Sequence, residues 1–199
     1  DAIGLEGVSS AQWNLPPSTL VKECILNGEG RLTNTGALAI STGEFTGRSP
    51  KDRYIVGDDK TNSRVDWGDI NQSITSENFG CLLEDVQNYL QGKNVYVTDG
   101  AVGADPATRS NTRVVSEFAY SCLFVNNMFL RFDEAEIADA DPAWHVICVP
   151  EFNSNPERHG CRQGNISAID FTRKIIIVAG SGYTGEIKKG MFSVMNFEF

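Results

Sequence analysis

Histidine is scarce in this chain, and its scarcity limits the chemistry: there are two, His145 and His159. Neither sits in a recognisable nucleophile context, so no Ser-His-Asp or Cys-His set can be assembled. Long apolar runs are missing too. None approaches the roughly 20 residues needed to cross a bilayer, and no basic-then-apolar pattern marks the amino end for export. Cysteine is present five times, at irregular spacing, an odd number that does not suit a secreted disulfide framework. Cys24, Cys81, Cys122, Cys148 and Cys161 therefore read as reduced, mostly buried thiols of a cytoplasmic protein. Basic residues are outnumbered, 17 against 26 acidic, for a formal charge of −9. That balance argues against wholesale binding to nucleic acid or an acidic membrane. A small anion would need a local basic pocket set against the global field.

What is present is apolar material throughout. Of 199 residues 41% are hydrophobic, with 11 Phe and 3 Trp, enough for one good-sized core or two small lobes. No repeat, low-complexity tract or Pro/Gly/Ser linker divides it. The chain opens on Asp1 rather than methionine, which leaves room for a missing leader, and an apolar Phe199 at the other end suggests a cut.

Periodicity predicts a short helix over 17–26, with Pro17 in its first turn. The apolar runs Leu38 to Ile40 and Tyr54 to Val56 read as strands flanking a polar loop. The clearest helix is 76–91, where Phe79, Leu82, Leu83, Val86 and Leu90 share a face and Gly92 supplies the stop. Strands are expected at 95–97, 113–115, 128–130, 144–149, around 166–170 and at 174–178. Further helices are expected at 118–126 and from Thr184 or Gly185 onward. This order gives an α/β or α+β domain, a mixed β-sheet flanked by helices.

Two segments could carry chemistry. In Thr42-Gly43-Glu44-Phe45-Thr46-Gly47-Arg48-Ser49-Pro50-Lys51-Asp52-Arg53, two glycines allow a tight loop and Pro50 stiffens Ser49. Arg48 could grip a carboxylate or phosphate in bidentate fashion. Pattern alone favours an ordinary polar turn. In Gly180-Ser181-Gly182-Tyr183-Thr184-Gly185-Glu186-Ile187-Lys188-Lys189-Gly190, a buried strand leads into a helix, an arrangement that aims free N–H groups at an anion. Lys188 and Lys189 oppose the helix dipole there, which suggests that a ligand sets their presence; surface charge is the level alternative. Tyr183 offers a phenol at the same mouth. No G-x-x-x-x-G-K-[ST] occurs, so no P-loop cradles a nucleotide in this chain.

His145, Cys148, His159 and Cys161 supply zinc-type ligands close in sequence. Residues three apart on a strand point to opposite faces, which disfavours a shared metal for His145 and Cys148. Carboxylates abound (Asp99, Asp105, Glu117, Asp170, Glu186), but spacing pairs no two of them for acid–base work.

Taken together the segments resemble ATP-dependent phosphoenolpyruvate carboxykinases. The resemblance runs from Gly28-Glu29-Gly30 and Leu32 to Ala37, through Thr46 to Asp52, Gly103 to Pro106 and Asn127 to Phe129, to Tyr183 through Phe192. It implies conversion of oxaloacetate and ATP to phosphoenolpyruvate, CO2 and ADP in gluconeogenesis, with Mn2+ beside a Mg2+-bound nucleotide. By the same resemblance Arg48 holds the substrate carboxylate and Tyr183 positions phosphoenolpyruvate and CO2. Lys189 ligates Mn2+ and approaches the transferred phosphate, with Lys188 as its charged neighbour. Residues 1–199 would be the amino-terminal substrate-binding domain. The P-loop nucleotide domain, the remaining metal ligands and a further substrate arginine would lie in a carboxy-terminal domain that the sequence does not contain, leaving the fragment inactive. Two departures stand out: Arg162-Gln163-Gly164-Asn165 replaces the usual R-S-E-N, which is expected to loosen a loop, and Ser181 replaces Thr. A free-standing anion-binding domain and a structural zinc module are the competing readings.

Overall fold

The computed structural model describes residues 3–139 and 141–199. In chain order the elements are β1 (Ser10–Trp13), α1 (Pro17–Leu26), β2 (Gly30–Leu32), β3 (Leu38–Ile40), a 3-10 turn (Pro50–Asp52) and β4 (Arg53–Val56). Then come β5 (Gln72–Ile74), α2 (Ser76–Leu90), β6 (Asn94–Val102), β7 (Ser110–Ser116), α3 (Ala119–Met128) and β8 (Leu130–Arg131). The last are α4 (Glu134–Ala138), β9 (Trp144–Val149), α5 (Pro156–His159), β10 (Ile166–Asp170), β11 (Ile175–Ala179) and α6 (Gly185–Glu198).

Nine strands form one mixed sheet in the order β1-β6-β7-β9-β11-β10-β4-β5, with β8 also on β6. Its central strands β9, β11, β10 and β4 are buried at every position, as strands covered on both faces must be. Side-chain alternation splits β9 between two layers. Ile147 and Val149 pack with Phe79, Leu82, Val86 and Leu90 of α2. Trp144, Val146 and Cys148 pack with Val125 of α3 and Ile187, Met191 and Val194 of α6.

The expected mixed sheet between helices is therefore what forms. Helix α2 begins where its periodicity begins because the Thr75 hydroxyl accepts the Asn78 N–H at 3.0 Å, a side-chain cap on an otherwise open turn. Thr75→Ala is expected to cost about 1 kcal/mol, read as a lower urea midpoint with unchanged slope. The strand expected at 38–40 forms, paired with β2 in a separate two-stranded sheet. Two readings shift. Met128 closes α3, so the strand expected at 128–130 shrinks to Leu130–Arg131. Lys174 takes a left-handed φ of 56° in the turn before β11, so the strand starts one residue late.

The sheet register decides where the two motif segments lie. Ser167 of β10 sits opposite Arg53 at the start of β4 and opposite Val178 near the end of β11. Since β10 runs parallel to β4 and antiparallel to β11, the loop entering β4 and the loop leaving β11 emerge at the same end of the sheet.

Candidate functional site: a basic cavity at the sheet end

The loop leaving β11 is shaped by glycines. Gly180 has φ +68°, and a Cβ there would lie 2.4 Å from the Gly164 carbonyl oxygen. A Cβ on Gly182 would lie 2.9 Å from the Thr42 carbonyl oxygen and 3.0 Å from the Tyr120 hydroxyl. This bare backbone is what lets the two motif loops touch. Tyr120 also donates a hydrogen bond to the Gly182 carbonyl at 3.3 Å, tying the loop to α3.

Helix α3 is held in turn by the Gly28-Glu29-Gly30 block. Its N-cap residue Phe118 offers no side-chain cap. The Glu29 carboxylate fills that role from a distance, accepting the N–H groups of Ala119 (3.1 Å) and Tyr120 (3.0 Å). An acidic group there also meets the positive end of the helix dipole.

Between these elements lies a cavity of about 400 Å³ lined by Arg48, Phe124, Met128, Tyr183, Gly185, Lys188, Lys189 and Phe192. All four residues singled out in the sequence (Arg48, Tyr183, Lys188 and Lys189) line this one space. Phe124, from α3, escaped sequence reasoning because it lies in no quoted motif. Met128 and Phe192 lay inside quoted segments, but no role was expected of them.

Three cations around one cavity set its electrostatics. Burial first, then Arg53 and Arg48, hold the Lys189 ammonium below the ordinary lysine pKa, against an opposing pull from Glu186. Its Nζ lies 4.5 Å from the centre of the Phe192 ring. A lysine so placed reaches the neutral amine form, the form that can donate a lone pair to a metal, more easily than a solvated one. In that neutral form Lys189 could contribute one ligand to a cation. Among the described residues no group of three or more His, Cys, Asp or Glu is placed to hold a metal.

The carboxylates that spacing could not pair have structural partners. Asp99 receives Arg113 at 2.7 and 3.1 Å. Glu117 accepts from Tyr89, Lys93 and the Glu151 N–H. Asp170 accepts the N–H groups of Thr172 and Arg173 in the turn before β11. Glu186, on the first turn of α6 beside Gly185 of the cavity lining, turns its buried carboxylate toward the Arg48 loop.

The departure at 162–165 has a structural answer. Arg162 binds the buried Asp52 carboxylate at 3.0 and 2.8 Å, and the Gln163 amide adds a third bond to it at 2.9 Å. Gln163 also donates to Asn165 at 2.6 Å. These bonds anchor the end of the Arg48 loop, so the loosening expected from this substitution is not what the contacts describe.

The zinc-type residues go separate ways. Cys148 faces the α6 layer, and His145 lines a different, largely apolar cavity with Trp13, Val97 and Arg113. His159 lies 2.9 Å from Asp85 and accepts the Asn155 N–H, while the Cys161 thiol donates to the Gln163 carbonyl. The five cysteines are all free, and burial pushes Cys24 and Cys122 up to about 12, far from thiolate reactivity.

Burial also holds the His145 pKa below its ordinary 6.5, with Arg113 adding to the effect. The unfolded chain then takes up a proton that the folded one resists. Stability is complete above about pH 6.5 and falls as the pH drops toward the folded pKa. Urea titrations at about pH 7 and about pH 5 are expected to show that loss, and His145→Leu is expected to lose less over the same interval.

Fold and cavity together define a mixed-sheet domain with a cationic pocket at one sheet end. Comparison with known proteins is more specific. The family described as phosphoenolpyruvate carboxykinase matches residues 9–199. The chain is 46% identical over 195 residues to the phosphoenolpyruvate carboxykinase (ATP) of Flavobacterium johnsoniae, covering 98% of this chain and 36% of that protein. Against the protein of the same name from Christiangramia forsetii it is 45% identical, covering 95% and 36%. For that of Amoebophilus asiaticus the identity is 42%, covering 98% and 38%. This chain belongs to the phosphoenolpyruvate carboxykinase family, and it spans little more than a third of the length of these relatives.

Proposed function

We propose that residues 1–199 are the amino-terminal, substrate-gripping domain of an ATP-dependent phosphoenolpyruvate carboxykinase. The whole enzyme converts oxaloacetate and ATP to phosphoenolpyruvate, CO2 and ADP, a carboxy-lyase reaction serving gluconeogenesis in the cytoplasm. The observation that carries this reading is the convergence of Arg48, Tyr183, Lys188 and Lys189 on one cavity in a chain of this family.

Each residue has a role that its surroundings support. Arg48 holds the substrate carboxylate, its planar guanidinium matching two oxygens at once. Tyr183, at the mouth of α6, orients phosphoenolpyruvate and CO2. Lys188 adds positive charge where negative charge gathers. Lys189, biased toward the neutral amine, would hold Mn2+ and face the transferred phosphate. A bound metal and Mg2+-nucleotide would supply charge neutralisation during decarboxylation and phosphoryl transfer. Positioning and electrostatics then account for most of the rate that this domain contributes.

The nucleotide site and the other metal ligands belong to a carboxy-terminal domain, which is the partner of this surface. Phe192, 58% exposed, and Phe199, 69% exposed, offer that domain apolar contacts on α6. The 199-residue chain alone therefore does not catalyse ATP-dependent turnover of oxaloacetate. Isothermal titration with oxalate, an enolate mimic, with and without Mn2+, tests the reading. Binding that strengthens with Mn2+ is the expected result. Absence of oxalate binding in the presence of Mn2+ would refute the cavity as a preformed substrate site, and ATP-dependent turnover by the chain would refute its inactivity.

A further inference from the structure

We propose that Glu186 is a positioning residue that works with Arg53 as a clamp, fixing the Arg48 loop against the amino end of α6. The proposal rests on reading the cavity above as the site of a substrate carboxylate.

The geometry is specific. Glu186 is 3% exposed and Arg53 is 7% exposed. One carboxylate oxygen, Oε1, accepts the N–H of Ser49 at 2.8 Å. The other, Oε2, faces Arg53 Nη2 at 3.7 Å. Ser49 adjoins Arg48, and Glu186 lies midway between Tyr183 and Lys189. One side chain therefore sets the distance between the guanidinium on one loop and the phenol and amines on the other. No other hydrogen bond joins residues 42–49 to α6 among the described residues.

Stability is a poor explanation for this pair. Two charges taken out of water repay their desolvation only when geometry is good and the remaining polar atoms are bonded. Here the ion pair is long, and Glu186 Oε2 and Arg53 Nε have no hydrogen-bond partner among the described residues. Buried polar atoms are nearly always bonded, so two orphans in one contact call for a reason. Holding a glycine-containing loop in register with α6 is such a reason, because a displacement of about 1 Å at a substrate-positioning group can cost on the order of 100-fold in rate.

The test separates geometry from stability. In the 199-residue chain, Glu186→Met combined with Arg53→Met replaces the pair with apolar groups and leaves no buried charge alone. Its melting temperature is expected to match or exceed that of the parent. Amide exchange at Ser49 is expected to quicken, and oxalate affinity in the presence of Mn2+ to fall, each by about tenfold or more. Glu186→Gln with Arg53→Met restores an acceptor for the Ser49 N–H without a charge. It is expected to recover slow exchange and most of the affinity.

Unchanged oxalate affinity alongside faster Ser49 exchange would overturn the proposal. So would a fall in melting temperature that tracks the loss of binding, which would mark a merely structural pair. If the parent chain binds no oxalate, the reading of the cavity fails on its own. The Ser49 exchange rates in the two double variants then uphold or overturn the clamp independently.

Discussion

Arg48→Ala is expected to lower oxalate affinity by about 2–3 kcal/mol, roughly 30- to 150-fold, in a calorimetric titration. The lower part of the range for charged-partner loss applies because Arg48 is solvent-exposed at the cavity rim. The effect is local to the cavity and not a matter of net charge. Arg31→Ala removes the same charge from the exposed β2–β3 hairpin, and it should leave affinity unchanged, since separated surface charges are screened at physiological salt. Equal losses in the two variants would mean that oxalate senses only the overall field, and Arg48 would then have no claim to hold a carboxylate.

Gly180→Ala is expected to destabilise the fold by about 2–5 kcal/mol. The backbone there is left-handed, which costs an L-residue roughly 1–2 kcal/mol. The new methyl carbon would also stand 2.4 Å from the Gly164 carbonyl oxygen and 2.9 Å from Asn165 Cα, both backbone atoms that cannot rotate away. Forcing them apart adds about 1–3 kcal/mol. Thermal unfolding followed by circular dichroism should show a midpoint lower by roughly 10 °C for a chain of this size. Because Gly180 sits between β11 and the Tyr183 loop, oxalate binding should weaken at temperatures where the chain is still folded. A midpoint within a degree of the parent would mean that the 162–165 segment yields easily, contrary to its ties to Asp52.

Much of this was legible in the chain, for identifiable reasons. Helix α2 could be read to within a residue because its apolar positions repeat at helical spacing and Gly92 supplies a stop. The central strands could be read because both of their faces are apolar. Strand β1 could not: Ser10-Ala11-Gln12-Trp13 has little strand character and is held by parallel pairing to β6, far along the chain. The four site residues stood out as cations and a phenol beside glycines. That they share a cavity depended on the β4-β10-β11 register, which no local pattern encodes. Glu186 and Arg53 lay inside the two quoted segments, yet nothing in either segment pairs them. Glu29 was quoted as part of a motif, but its contact with the start of α3 spans 90 residues and is invisible to any window.

The contact between Ser49 and Glu186 joins residues 137 positions apart. A ribosome adding about 5–20 residues per second needs roughly 7–27 s to traverse that gap. For most of that interval β4 has been made but its partner β10 has not, so a short apolar strand waits with one edge open. The pocket is thus one of the last things the nascent domain can complete. Its tendency to be captured by chaperones or by neighbouring chains during synthesis is set by the sheet order itself, before any property of the finished site comes into play.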